Sequence, residues 1–171
     1  MAFVIEELRL PAGDAEMREL AQLLCDAVDG GGSVSFLSPF SMADSGRYWR
    51  ETLAKATARS VFLVARDEEG IAGSVQLHPN WAPNQPHRGD IAKLLVHRRA
   101  RRRGLARALM EEVEVRARAL GFTLLTLDTK LGDAAEQLYT RAGWTRVGVI
   151  PGYALNPDGT PADTVIFYKA V

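Results

Sequence analysis

Apolar residues recur along this chain at two spacings, and the switches between them mark its elements. Phe3 to Leu10 reads as a first strand, ended by Pro11. Met17, Leu20, Ala21, Leu24 and Val28 then fall at helical spacing behind Asp14, the expected N-cap. The chain breaks at Gly30-Gly31-Gly32, and a second helix starts at Ser41 or Asp44, with Tyr48, Trp49, Leu53 and Ala56 on its apolar side. Ser60 to Arg66 and Ile71 to His78 predict a hairpin around Asp67-Glu68-Glu69-Gly70, and the polar, proline-rich PNWAPNQPHR predicts a loop after it.

The stretch from Asp90 to Gly121 organises the rest. Ile91, Leu94, Leu95 and Val96 form a short apolar strand, and an arginine-laden turn follows. Ala106, Leu109, Met110, Val113, Ala117 and Leu120 then recur at three- and four-residue steps up to Gly121, which stops the helix. Thr123 to Thr129 predicts a buried strand, placed where a parallel crossover returns. Asp133 to Ala142 predicts a shorter helix with Ala135, Leu138, Tyr139 and Ala142 on one side. Thr145 to Ile150 and Thr164 to Lys169 predict two closing strands, joined by the turn-rich PGYALNPDGTPAD. The order β-α-α-β-β-β-α-β-α-β-β describes a single α/β domain over residues 1–171 with a mixed sheet.

Composition narrows the classes. At 47% apolar, 25% charged and zero formal net charge, the chain has the make-up of a soluble globular protein without broad electrostatic attraction to nucleic acid or membrane. The first residues, MAFVIEELRLP, carry early acids and no long apolar run, so they do not read as a signal peptide, and no window approaches a membrane span. A cytoplasmic protein is expected. The one cysteine, Cys25, is expected to be a packed core thiol. His78, His87 and His97 are spread without metal-ligand spacing, so no metal is expected, although His87 and His97 are candidates to line a pocket.

The candidate chemistry starts at Arg101-x-x-Gly104-x-Ala106, where the turn opens the long helix. A helix N-terminus offers unpaired N–H groups and a partial positive charge. Gly104 and Ala106 let a diphosphate come close to the backbone, and arginines on the turn add charge-assisted hydrogen bonds. The run Arg98, Arg99, Arg101, Arg102, Arg103 also has the look of a nucleic-acid patch. Its place between strand and helix, without interleaved aromatics, favours phosphate binding, with Arg98 and Arg99 left to solvent.

With the strand Leu94-x-Val96 before it, this turn resembles the acetyl-CoA-binding motif of the GNAT superfamily of N-acetyltransferases. The resemblance implies a central mixed, mostly antiparallel sheet, splayed at a parallel strand pair with helices on both faces. It also implies acetyl-CoA as cosubstrate, held at Arg101, Arg102, Arg103, Gly104, Leu105 and Ala106. The backbone of Leu94, Leu95 and Val96 would pair with the pantetheine arm and polarise the thioester. Ala135-x-x-Leu138-Tyr139-x-x-x-Gly143-Trp144 is similar to the family's Asn-x-x-Ala-x-x-Leu-Tyr-x-x-x-Gly-Phe segment, which implies Tyr139 as the acid serving the leaving thiolate and Ala135 beside the cofactor. The family's Asn position is Gly132 here, so its contact is lost or made by Asp133.

For deprotonating an amine, carboxylates at the sheet edge are the natural bases. Asp128 ends a predicted parallel strand behind Leu124, Leu125 and Leu127, which is expected to desolvate it and raise its pKa. Asp90 shares parity with Leu94 but stands roughly 13 Å away along the strand, so it would act through water or on a substrate lying along it.

Segments beyond the cofactor motif resemble the tabtoxin-resistance type of GNAT acetyltransferase. They include GGGSVSF, Leu127-Asp128-Thr129, Thr145-Arg146-Val147-Gly148 and Pro151-Gly152-Tyr153. That type places acids at the positions of Asp90 and Asp128, with a glutamate where Asp90 stands. The expectation is therefore acetyl transfer to the amine of a small polar molecule, with toxin or antibiotic inactivation within reach of the resemblance. The acceptor pocket is expected from Gly31–Phe36, Trp81–Arg88 and Gly152–Asn156. The rival readings are a non-catalytic acyl-CoA sensing module and a protein or peptide N-acetyltransferase. Nothing in the pattern fixes the oligomeric state; a homodimer is compatible with it.

Overall fold

The computed structural model describes residues 3–171. Seven strands form one sheet: β1 (Val4–Glu7), β2 (Val61–Asp67), β3 (Gly70–Pro79), β4 (Arg88–Val96), β5 (Leu124–Lys130), β6 (Thr145–Leu155) and β7 (Pro161–Ala170). Their spatial order is β1-β2-β3-β4-β5-β7-β6. Every pairing is antiparallel except that of β4 with β5, which is parallel and short: Arg88, Gly89 and Asp90 face Leu124, Leu125 and Thr126. Beyond Asp90 and Thr126 the two strands are no longer paired, so a gap opens in the middle of the sheet.

Four helices cover the two faces: α1 (Asp14–Asp29), α2 (Met42–Ala54), α3 (Leu105–Ala119) and α4 (Ala134–Arg141). Strand alternation sorts the core into two layers. Val61, Leu63 and Ala65 turn to the α3 face with Leu77, Ile91, Leu125, Leu109, Val113 and Tyr139. Phe62 and Val64 turn the other way, against Leu20, Leu24 and Trp49 of α1 and α2. Trp49 Nε1 donates to the Leu20 carbonyl (2.9 Å) and Ser45 Oγ to that of Ala21 (2.9 Å), which locks α2 to α1.

Some expected boundaries move, each for a local reason. The N-cap of α1 is Gly13 rather than Asp14, because Glu16 reaches back to accept the Gly13 N–H (2.9 Å). Ser41 caps α2, with Asp44 as its reciprocal partner. The segment expected to be a turn between the last strands is mostly strand. Pro151 and Gly152 sit where the register shifts between Ile150 and Ala154, and Asp163 accepts the Gly152 N–H (2.8 Å). The true turn is confined to residues 156–160, where Asp158 accepts from the Thr160 N–H and hydroxyl. Cys25 is only partly buried, and that burial still pushes its thiol up. Among the described residues no helix is long and apolar enough to cross a membrane.

Glu114 of α3 joins the layers. It is 6% exposed, accepts from Trp144 Nε1 (3.0 Å) and Lys169 Nζ (2.7 Å), and lies 3.6 Å from Arg118. Glu114→Ala leaves the Lys169 ammonium with only the Ala142 carbonyl and strands the Trp144 indole N–H, so a loss of about 3 kcal/mol is expected in urea unfolding, with Glu114→Gln milder.

Candidate active site

The gap between β4 and β5 leads into a cavity of about 640 Å³, walled by the end of α1, the outer half of β4, the start of α3 and the inner side of α4. Gly104 is the N-cap of α3 and takes a left-handed conformation (φ 79°), with nothing within 4 Å of where a Cβ would stand. The first turn of α3 therefore presents the N–H groups of Leu105, Ala106 and Arg107 to an open space, since the first helical bond is from Ala108 to Gly104 (3.1 Å). Leu94, Leu95, Val96, Arg101, Arg102, Gly104, Leu105, Ala106, Asp133 and Ala135 all line this cavity. Arg103 does not; its guanidinium lies over the Phe3 ring, 4.5 Å from the centroid.

The turn before α3 is held from α1. Asp26, 8% exposed, accepts the Arg98 N–H (2.9 Å) and pairs with the Arg98 guanidinium, while Arg101 lies 4.0 Å away and donates to the Val96 carbonyl (3.2 Å). Arg99 is bound to Asp67 (2.9 Å). Arg98 and Arg99 are thus both ion-paired, Arg99 largely covered and Arg98 still 58% exposed. His97 stands 3.7 Å from Asp26, and neither it nor His87 lines this cavity.

Tyr139, on α4, is 5% exposed, with its ring packed between Trp144 (6.0 Å) and Phe167 (5.8 Å). Its edge reaches the cavity, and its hydroxyl has no protein partner among the described residues. Burial, and then the charge of Asp128, push its pKa up, so the phenol stays protonated. Gly132, in the position of the family's Asn, is left-handed (φ 83°). Glycine adopts that conformation at little cost, and it has no side chain to offer a ligand.

A second cavity, of about 410 Å³, adjoins the first and is walled by Ser33, Ser35, Phe36 and Leu37, by Tyr153 to Leu155 of β6, and by Asp128, Lys130 and Thr164. Two of the three loops expected here contribute. The Trp81–Arg88 loop does not, and Trp81 is 90% exposed at its tip. Asp128 lines both cavities, as do Ser33 and Ser35. The expected desolvation of Asp128 is absent: the residue is exposed, because Leu125 and Leu127 point to the α3 face and Asp128 to the other. Asp90 lies in neither cavity wall. It is bound to the Thr126 hydroxyl, to Arg88 (3.2 Å) and to Asn80 (3.3 Å), at the last rung of the β4–β5 pairing.

Two lysines were not singled out from the sequence. Lys130 faces the smaller cavity, and no hydrogen bond or ion pair holds its ammonium among the described residues. Lys93 lines the larger one, with its Nζ 3.1 Å from Ser35 Oγ; burial lowers its pKa and the Asp128 charge opposes that. The readable signal for Lys93 was a lone charge inside the apolar run DIAKLLV.

Comparison with known proteins agrees with this architecture. The acetyltransferase (GNAT) family model matches residues 32–144. An uncharacterized N-acetyltransferase from the hisH–hisA intergenic region of Azospirillum brasilense is 35% identical over 123 residues, 71% of each chain. Among solved structures, the ribosomal-protein-alanine N-acetyltransferase of Brucella melitensis superposes with a TM-score of 0.81 at 20% identity, covering 98% of this chain and 99% of its own. The yncA protein of Salmonella typhimurium, solved with its cofactor acetyl-CoA, gives 0.79 at 14% identity, covering 99% and 94%. The family model spans well over half of the chain and the relative is more than 30% identical over more than two thirds of it: the chain belongs to the GNAT family of acetyltransferases.

Proposed function

We propose that this protein transfers the acetyl group of acetyl-CoA to the amine of a small polar molecule by direct attack. The observation that carries the reading is the position of Asp128 on the wall shared by the two cavities, with Tyr139 also lining the larger one and close enough to feel the Asp128 charge. The donor set of the larger cavity suits acetyl-CoA: free helix N–H groups, a glycine without obstruction and Arg101 and Arg102 for the diphosphate, then an unpaired strand edge at Leu94 to Val96 for the arm. Bound there, acetyl-CoA supplies the acetyl group as a thioester.

The protein's own residues then have separable tasks. Asp128 takes the proton shed by the attacking amine, directly or through water. Tyr139, kept protonated, donates to the departing sulfur. Asp90 holds Thr126 and Arg88 at the point of splay and serves the geometry rather than the proton. Cys25 lines neither cavity, which agrees with transfer without an acyl-enzyme.

The acceptor cavity favours a small molecule over a peptide chain. It offers Asp128 and Lys130, two opposite charges on one face of β5 and roughly 6.6 Å apart along the strand. An acceptor with an amine at Asp128 and an anionic group near Lys130 satisfies both, and a toxin or antibiotic amine of the tabtoxin-resistance type is one such class. Lys130→Met is expected to lower the preference for an anionic acceptor over its neutral amide analogue by about 10- to 100-fold in kcat/KM, the worth of one charge-assisted hydrogen bond.

The test is CoA-thiol release by purified protein offered small amines, amino acids, their amides and short peptides. Release with small amines and little with peptides is expected. Efficient release with peptides alone would overturn the substrate class. Tight acetyl-CoA binding without release from any acceptor would favour a sensing module instead.

A further inference from the structure

Among the described residues, three other than glycine have positive φ: Ser35 (79°), Lys93 (50°) and Arg102 (59°). All three line the cofactor cavity, and two of them touch each other. Left-handed backbone at a lysine or serine is costly and persists where the surroundings enforce it. Lys93 sits in the β4 irregularity, where the register to β3 slips between Ser74 and Gln76, and Ser74 Oγ donates to its carbonyl (3.3 Å). That backbone turns its side chain toward the loop joining α1 to α2. There Nζ meets Ser35 Oγ at 3.1 Å and lies over the rings of Phe36 (5.7 Å) and Tyr48 (5.5 Å). Phe36 packs in turn on Phe40 (4.5 Å) and edge-on to Tyr48 (5.2 Å).

The loop has few other polar anchors between its ends. Gly32 N donates to Ala27 O (2.9 Å), Val34 N to Gly32 O (3.0 Å) and Ser38 N to Pro157 O in the β6–β7 turn (2.7 Å). Between Val34 and Ser38, the contact with Lys93 is the polar tie of the loop to the sheet among the described residues, beside the apolar packing of Val34 and Phe36, and residues 33, 35, 36 and 37 are one wall of the acceptor cavity. We propose that Lys93 is a positioning residue: its ammonium, gripped by Ser35 and two aromatic rings, seats the acceptor wall on the thioester end of the cofactor groove. The kinetic part of this proposal rests on the acetyl-transfer reading; the structural part does not.

The test compares wild type, Lys93→Met and Lys93→Arg in the full chain. Methionine keeps the stem and removes the charge, whereas arginine keeps a cation able to meet both ring and hydroxyl. In the free protein, amide hydrogen exchange at Val34 and Ser38, which flank the contact, is expected to quicken about tenfold in Lys93→Met, the effect of losing one hydrogen bond and two cation–π contacts. Arginine should restore part of the protection. With an acceptor, KM for that acceptor is expected to rise about tenfold while KM for acetyl-CoA stays within about threefold. Should Lys93→Met fail to fold, Ser35→Ala removes the same bond from the loop side and should quicken exchange at the same two amides. Unchanged exchange in the folded variants, or a rise in both KM values together, overturns the proposal. Faster exchange in a protein that transfers acetyl to no amine would sink the functional reading while leaving the joint in place.

Discussion

Replacing Tyr139 by phenylalanine is expected to lower kcat by about 10²–10⁴-fold while leaving KM for acetyl-CoA and the unfolding midpoint nearly unchanged. Only one oxygen is lost. The ring remains wedged between Trp144 and Phe167 within the α3-side core, so packing is preserved. The hydroxyl makes no protein hydrogen bond among the described residues, so its removal orphans no buried group. What disappears is a neutral donor at the wall of the cofactor cavity, kept protonated by burial and by the negative charge of Asp128. An interaction made mainly with charge that develops on the leaving sulfur acts on kcat rather than on ground-state binding. Steady-state kinetics on the folded variant check this directly, and a kcat within about threefold of wild type would remove Tyr139 from the chemistry.

Asp128→Asn should cost a similar factor, about 10²–10⁴ in kcat/KM at neutral pH, with acetyl-CoA affinity retained. Asp128 is exposed and no hydrogen bond or ion pair holds its carboxylate among the described residues, so the asparagine variant should fold as wild type does. The sign of its pH dependence is distinctive. An acceptor amine with a pKa of about 8 loses its own proton as pH rises, so the variant should recover part of its activity above that value, where the wild type gains little. Asp90→Asn makes the contrast. Its carboxylate is occupied by Thr126, Arg88 and Asn80, so its loss should act on the β4–β5 pairing and stability more than on that pH profile. A pH profile moved by Asp90→Asn and untouched by Asp128→Asn would exchange the two roles.

The residues proposed to hold the cofactor could be singled out in the sequence because they are local, and most of them do line one cavity. A strand, a turn with glycine at the left-handed position and an amphipathic helix occupy consecutive residues, and the physics that makes them an anion site needs nothing from elsewhere. Tyr139 followed from a second local segment. The proposed acceptor cavity is assembled from residues 33, 35–37, 128, 130, 153–155 and 164, far apart in sequence, and local spacing cannot announce such a juxtaposition. Two misreadings have the same root. Asp128 was expected to be desolvated by neighbouring leucines, yet alternation along β5 sends Leu125 and Leu127 to one face and Asp128 to the other. Pro151 and Gly152 read as a turn because those residues usually make one, whereas here the strand absorbs them as an irregularity and continues to Leu155. Arg98 and Arg99, seemingly solvated beside Arg101, find Asp26 and Asp67 only once the chain has folded.

These placements converge on one geometric claim: the thioester lies at the splay of β4 and β5, between Tyr139 and Asp128. A crystal structure of the protein with acetyl-CoA tests it most directly. The diphosphate is expected on the N–H groups that open α3, beside Arg101 and Arg102, the arm along Leu94 to Val96, and the sulfur within hydrogen-bond reach of the Tyr139 hydroxyl. Acetyl-CoA bound with its sulfur away from Tyr139, or with the acetyl group walled off from the cavity that Asp128 shares, would contradict it.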